Sequence, residues 1–299
     1  MNRVAQHPFQ AFLAALAAVG TLSIMDAVMK HLVLAIGIFA VSIWRAVANL
    51  ILSAGLCLPR RSARPSRKTL AIHVIRGIVV TVMAVLFFWG IGRVPLAQAI
   101  ALTFIAPLIA MLLAPLFLDE QLGARSVIGA IGAFAGVVVI VLGQARAELG
   151  PKVLIGSAAI IVSALCYAGN ILMMRWQALA AKPLEINFFQ AVVVLALWLA
   201  VLPIVGVPAW PQGQTGWVIA ASALSTGGGL LFSWVYARGE ASYLAVTEYS
   251  GFLWAATLGW LVFHEPVSAY TVAGAVLIVG GCLIAARRKA EPPEIEAVA

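Results

Sequence analysis

Charged side chains are scarce in this sequence: Asp, Glu, Lys and Arg make up 10% of its 299 residues, against about 25% in soluble globular domains. A surface so poor in charge excludes an ordinary soluble enzyme. Acids are the scarcer sign, 11 against 19 Lys and Arg, for a net charge of +8. Such a balance would suit a nucleic-acid partner only if the bases formed a folded face with polar or aromatic readers, and here they sit mainly at the edges of apolar tracts. Cysteine is almost missing. Cys57, Cys166 and Cys282 lie inside apolar tracts at wide, irregular spacing, which argues against a disulfide framework and a metal site. The four histidines, His7, His31, His73 and His264, fall near tract ends or outside them and make no metal-ligand pattern. The Gly227 to Gly229 run lacks the Lys-Ser/Thr of a phosphate-binding loop and the strand-turn-helix setting of a dinucleotide site. No cofactor, metal or ATP-driving domain is expected.

What the sequence has in abundance is apolar length. Hydrophobic residues make up 63% and the mean hydropathy is +1.05, spread over many tracts separated by short polar punctuation. The tracts run over about 9–31, 37–57, 71–92, 95–118, 124–143, 153–175, 184–206, 216–237, 242–263 and 267–286. Each is close to the roughly 20 residues that cross a hydrocarbon layer about 30 Å thick. The expected fold is an all-α membrane protein of ten transmembrane helices. Prolines at 59, 65, 95, 151, 183, 208, 211 and 266 mark the breaks, where they start or end helices without removing an interior hydrogen bond. The first tract has no convincing cleavage site and leads straight into further tracts, so it reads as a retained span rather than a signal peptide. Arg60, Arg61, Arg64, Arg67 and Lys68 form a basic, acid-free connection, and Arg287, Arg288 and Lys289 close the last tract. The positive-inside rule puts both segments, and with ten spans both termini, in the cytoplasm. Only Lys30, Arg45, Arg93, Arg146 and Lys152 are left for the outer half.

A repeat at a constant offset of 145 residues pairs Lys30 with Arg175, Arg45 with Gln190, Arg93 with Arg238, Glu120 with Glu265, Gly129 with Gly274 and Gly136 with Gly281. Five spans recur as five spans, over 9–143 and 153–286, with 287–299 as a tail. An odd number of spans starts the second copy on the opposite side of the membrane, so the halves are expected to be inverted about a central cavity. That device recurs in secondary transporters.

The segment FIAPLIAMLLAPLFLDE (104–120), with Arg93 before it and GARSVIGAIGAFAGVVVIVLG after it, has a second copy in YSGFLWAATLGWLVFHE (249–265) and the glycine-rich span that follows. These motifs resemble the EamA family of the drug/metabolite transporter superfamily, over about residues 12–286. The resemblance implies an exporter-like fold in which helices 1, 3, 4, 6, 8 and 9 surround the cavity. Helices 5 and 10 would be peripheral, with small residues suited to close packing within one protomer or between two, so monomer and homodimer both remain open. It also implies a solute class, the amino acids exported by bacterial members.

Asp26 is the one carboxylate in the middle of the first span and would be costly there without a cavity or a partner. Lys30, one turn on along the same face, and Arg45 are its candidate partners. The cluster reads either as a structural ion pair at the outer gate or as substrate or proton coupling. Glu248, beside Tyr249, stands inside the ninth tract, where it either relays protons, binds solute, or pairs with Arg238. Glu120 and Glu265 end matching tracts and read chiefly as helix terminators. Trp89, Gln98, Tyr167, Asn170 and Trp234 combine apolar surface or an amide with a polar tip, fitting an organic solute in a cavity or an interfacial aromatic belt. Pro107 is a candidate bending point. The function expected is a secondary transporter, not an enzyme, exporting amino acids or related small metabolites by alternating access, with protons as a candidate coupling ion. The alternatives are a carrier of another organic metabolite (a vitamin, a nucleoside-like or sulfonium compound, a toxic cation), a membrane enzyme, or a channel.

Overall fold

A computed structural model describes residues 8–60, 65–106, 109, 124–146, 150–236 and 250–286. Among them the chain is all-α. Nine α-helices follow in order: α1 Pro8–Cys57, α2 Arg67–Ile91, α3 Leu96–Thr103, α4 Ala124–Arg146, α5 Gly150–Ala180, α6 Pro183–Val205, α7 Thr215–Tyr236, α8 Ser250–Phe263 and α9 Ala269–Ala286. A single 3-10 turn, Leu58–Arg60, follows α1.

The expectation of ten spans in two inverted sets of five is overturned. Five of the described stretches are long and apolar enough to cross a membrane: Leu13–Cys57, Arg67–Ile91, Gly150–Ile171, Pro183–Val205 and Thr215–Phe232. The first and second tracts lie within the stretch Pro8–Cys57 as two helices joined at a kink, where Gly37 leaves helical geometry at φ 78 and ψ 157. Of the fourth and ninth tracts, the described residues include α3, Leu96–Thr103, and α8, Ser250–Phe263.

Local chemistry sets the boundaries. Ser66 caps α2 by accepting the Thr69 N–H at 3.1 Å, satisfying one of the donors a helix start leaves unpaired. Pro95 precedes α3, and Pro183 stands in the first turn of α6, where its missing N–H costs nothing. Gly206, at φ 80, ends α6. At Gly37 a Cβ would meet nothing within 4 Å, so the left-handed backbone, and not crowding, is what favours glycine there. It divides α1 into two arms that fold toward each other, since Leu22 and Met25 of the first arm line the same cavity as Ser42, Arg45, Asn49 and Ser53 of the second.

Among the described residues the most extensive helix pairing is α4 with α9, followed by α1 with α7 and α2 with α5. In the α4–α9 seam a Cβ on Gly136 would lie 2.6 Å from the carbonyl oxygen of Gly274. Small residues are what let two backbones approach so closely where no hydrophobic effect drives helices together. Met29, Leu32, Ile91, Leu96, Leu102, Ile140, Ile160 and Ile278 are fully buried. Outside, Ile51, Ile131, Phe134, Leu199, Leu253 and Trp260 are exposed, as expected of helices whose solvent is lipid.

Candidate functional site

Among the described residues, three polar features bear on the site. The first is a cavity of about 270 Å³ walled by α1, α2, α5, α6 and α7. Along α1, Arg45, Asn49 and Ser53 recur every four residues and so share one face. Asn187, Gln190 and Trp198 face them from α6, Tyr167 and Met174 from α5, Ser225 and Thr226 from α7, and Arg76, Thr81 and Phe88 from α2. The Arg45 guanidinium lies 5.3 Å from the Phe88 ring centre, a cation–π distance. Asp26 is within electrostatic reach of Arg45 but does not line the cavity. Arg45 Nε and Asn49 Oδ1 are buried with no hydrogen-bond partner among the described residues. An orphaned buried polar atom costs about 1–3 kcal/mol, which a polar occupant of the cavity would relieve.

The second feature is a chain of hydrogen bonds beside the cavity. Arg76 donates from Nε to Asn170 Oδ1 at 2.8 Å and from Nη1 to Gln177 Oε1. The Gln177 amide donates to His73 Nδ1 at 2.6 Å. With Nδ1 accepting, the ring proton sits on Nε2, which faces Glu185 Oε1 at 3.4 Å. His73 also stacks on Phe189, with ring centres 4.8 Å apart and planes 8° from parallel. Arg76, His73, Asn170 and Gln177 are all buried, so α2, α5 and α6 are tied together by side chains that must keep their partners.

The third is a bolt. Lys30, 3% exposed, directs its ammonium to the Val94 carbonyl at 2.8 Å and to Glu265 Oε1. The other carboxylate oxygen, Oε2, accepts the Leu96 N–H at 2.9 Å, at the start of α3, and the Phe263 ring lies 5.2 Å from the ammonium. One carboxylate thereby joins α1, α3 and the end of α8. Glu265 follows His264, whose φ of 54 turns the chain out of α8.

The expected site residues scatter over these features. Tyr167 lines the cavity, as does Arg45. Asn170 holds Arg76 instead of facing the open space. Lys30, adjacent to Asp26 in helical register, is committed to Glu265. Trp89 stacks under the Arg93 guanidinium, 3.6 Å from its ring centre, and Trp234 is 39% exposed; neither lines the cavity. Gln98 is buried in α3 and its Nε2 has no partner among the described residues. Pro107, Glu120, Arg238, Glu248 and Tyr249 lie outside the described residues. Sequence reasoning missed Arg76, His73, Gln177, Asn49 and Asn187. A signal existed for Arg76, which stands five residues inside the tract at 71–92, yet its nearness to the basic segment made it read as a helix-end charge.

Membrane-length helices enclosing a cavity whose wall mixes guanidinium, amide, hydroxyl and aromatic groups define a carrier of small organic solutes. Among the described residues no group of three or more His, Cys, Asp or Glu could hold a metal. The profile of the EamA-like transporter family matches residues 9–142 and again 154–287, and the chain belongs to that family. It is a multi-pass inner-membrane transporter, not an enzyme. It is 26% identical over 277 residues to the pseudopaline exporter CntI of Pseudomonas aeruginosa, covering 90% of this chain and 93% of that one. It is 25% identical over 254 residues to the riboflavin transporter of Brucella anthropi, at 83% and 87% coverage. A riboflavin transporter of Vibrio cholerae is 24% identical over 289 residues, 92% of each chain. A solved crystal structure, 19% identical, superimposes with a TM-score of 0.62 over 93% of this chain and 97% of its own, and shares the fold.

Proposed function

We propose that the chain carries an organic metabolite with an aromatic or heterocyclic body through the cavity by alternating access. The observation that carries this reading is the cavity wall, in which Trp198, Tyr167 and Phe88 offer apolar surface and Arg45, Asn49, Asn187 and Gln190 offer polar contacts. The amino-acid reading is set aside for the broader one, because the relatives named above handle pseudopaline and riboflavin. The export direction follows the 26% identical exporter. The two family matches, over 9–142 and 154–287, support treating the chain as two related halves with 287–299 as a tail. The basic runs at 60–68 and 287–289 favour cytoplasmic termini.

In this mechanism the Lys30–Glu265 bolt closes one end of the solute path and must break for that end to open. Asp26, beside Arg45, is the proposed proton-coupling carboxylate. The test is counterflow in proteoliposomes with radiolabelled riboflavin, other heterocyclic vitamins and aromatic amino acids, with and without a pH gradient. Saturable counterflow of a heterocycle is the expected result, and Asp26→Asn is expected to remove any effect of the gradient. A folded preparation that exchanges none of the panel would sink the proposal. Exchange of amino acids alone would restore the narrower substrate class.

A further inference from the structure

The carrier reading leaves the charge of the solute open, and the cavity wall bears on it. Its described lining contains two guanidiniums, Arg45 and Arg76, and no Asp or Glu. A buried cation in a membrane protein ordinarily has a paired acid, since an uncompensated one is expensive. Arg76, 8% exposed, is held by two neutral amide oxygens, those of Asn170 and Gln177. The nearest carboxylate along its network, Glu185, is reached only through Gln177 and His73. Neutral partners orient a guanidinium without cancelling its charge. Arg45 rests on the Phe88 ring within electrostatic reach of Asp26, which is not among the described lining residues, and its Nε has no acceptor among the described residues.

We infer that the cavity takes a carboxylate-bearing solute, whose acidic group is held at two successive guanidinium stations, Arg45 and Arg76. This rests on the carrier reading above and adds the substrate class. The stations are not one clamp. Arg45 sits against Phe88, twelve residues or ~18 Å of backbone rise along α2 from Arg76, while Arg76 Nη1 is turned to Gln177, so the two stand at different levels of the cavity. The described lining between them holds no Asp or Glu, so an anion meets no like charge there, whereas a cationic solute meets a guanidinium at each station. Among the described residues Arg45 Nε has no acceptor and Asn49 Oδ1, one turn on, has no donor. A carboxylate with an N–H or O–H group close to it satisfies both at once. Trp198 and Tyr167 then flank the solute's apolar body.

The test uses the purified full-length chain and matched probes: phenylacetate, indole-3-acetate and succinate against phenylacetamide, indole-3-acetamide and succinamide. Thermal stability is measured against probe concentration. At least one carboxylate should give a saturable upward shift that its amide lacks. Arg45→Gln and Arg76→Gln should each weaken that response about tenfold, the scale of one charge-assisted contact. Because Arg76→Gln disturbs a buried network, Asn49→Asp is the second variant. It is nearly isosteric, adds the missing acid to the wall, and should weaken carboxylate binding about tenfold with the amides unchanged. Equal responses to acids and amides, no response to any acid, or an Asn49→Asp variant that binds acids as the parent does would each overturn the inference. Counterflow of the same probes separates the two proposals. Exchange of amides but not acids leaves a carrier and refutes the anion site, while acid binding without any exchange keeps the site and refutes the carrier.

Discussion

The bolt between Lys30 and Glu265 can be weighed from its geometry. The Glu265 side chain is 21% exposed and that of Lys30 4%. Glu265→Gln removes the charge opposite a buried ammonium and leaves it the Val94 carbonyl and a neutral amide. Breaking a buried pair by removing one partner costs about 3–5 kcal/mol; partial solvent access to the carboxylate puts this case lower, at about 2–3 kcal/mol. Lys30→Met removes the other partner and leaves a carboxylate that retains the Leu96 N–H. The double variant should be more stable than the sum of the two losses allows, with a coupling energy of about 2 kcal/mol. Reversible unfolding of all four proteins in mixed detergent micelles, over a range of SDS fractions, measures it. If the bolt breaks in one half of the transport cycle, the same 2 kcal/mol shifts the equilibrium between closed and open by roughly 30-fold. Each single variant should then expose the end of the cavity it closes to an impermeant thiol reagent at Met25→Cys in a background without native cysteines. Losses that add within about 0.5 kcal/mol would refute the pair as an energetic unit. Coupling without any change in labelling would leave it a static brace.

Gly136→Val should destabilise severely, by more than about 3 kcal/mol, because the 2.6 Å approach is to backbone and cannot be relieved by a rotamer. Gly132→Ala, whose added methyl would lie 3.7 Å from Gly281 Cα, should be tolerated, and thermal melts of the two decide. Gln177→Leu strips both Arg76 and His73 of a buried partner and should cost about 2–4 kcal/mol, well beyond the loss for Ser66→Ala at the exposed start of α2, about 1 kcal/mol; equal losses would contradict the network. Gly37→Ala forces a side chain into φ 78 and should lower stability by about 1–3 kcal/mol, read from the shift of the same unfolding curves.

The apolar tracts made helix content and membrane residence plain in the sequence, since no other structure satisfies so much backbone away from water. Continuity was less plain. The stretch from Leu32 to Ala40 has no proline and no charge, so nothing in its composition says whether the helix stops or bends, and Gly37 looks like any other glycine until its dihedral angles are seen. Partner choice was half legible: Arg45 is within electrostatic reach of Asp26 as expected, and Lys30 is not its partner. Asp26 and Lys30 are neighbours by helical period, but the ammonium goes to Glu265, 235 residues away, and period carries no information on tertiary partners. Trp234 and Tyr167 had equal claims on a cavity. On helices apolar all round, amphipathicity cannot tell the inner face from the outer one.

The glycine seam between α4 and α9 has a mechanical consequence. When a carbonyl oxygen occupies the place a methyl would take, neither helix can roll about its axis without driving backbone into backbone, and Ile140, Ile278 and Tyr270 wedge against the glycines of the seam. These two helices form a keel. Under the proposed alternating access, α4 and α9 are expected to move as one body, held at the glycine contact between Gly136 and Gly274.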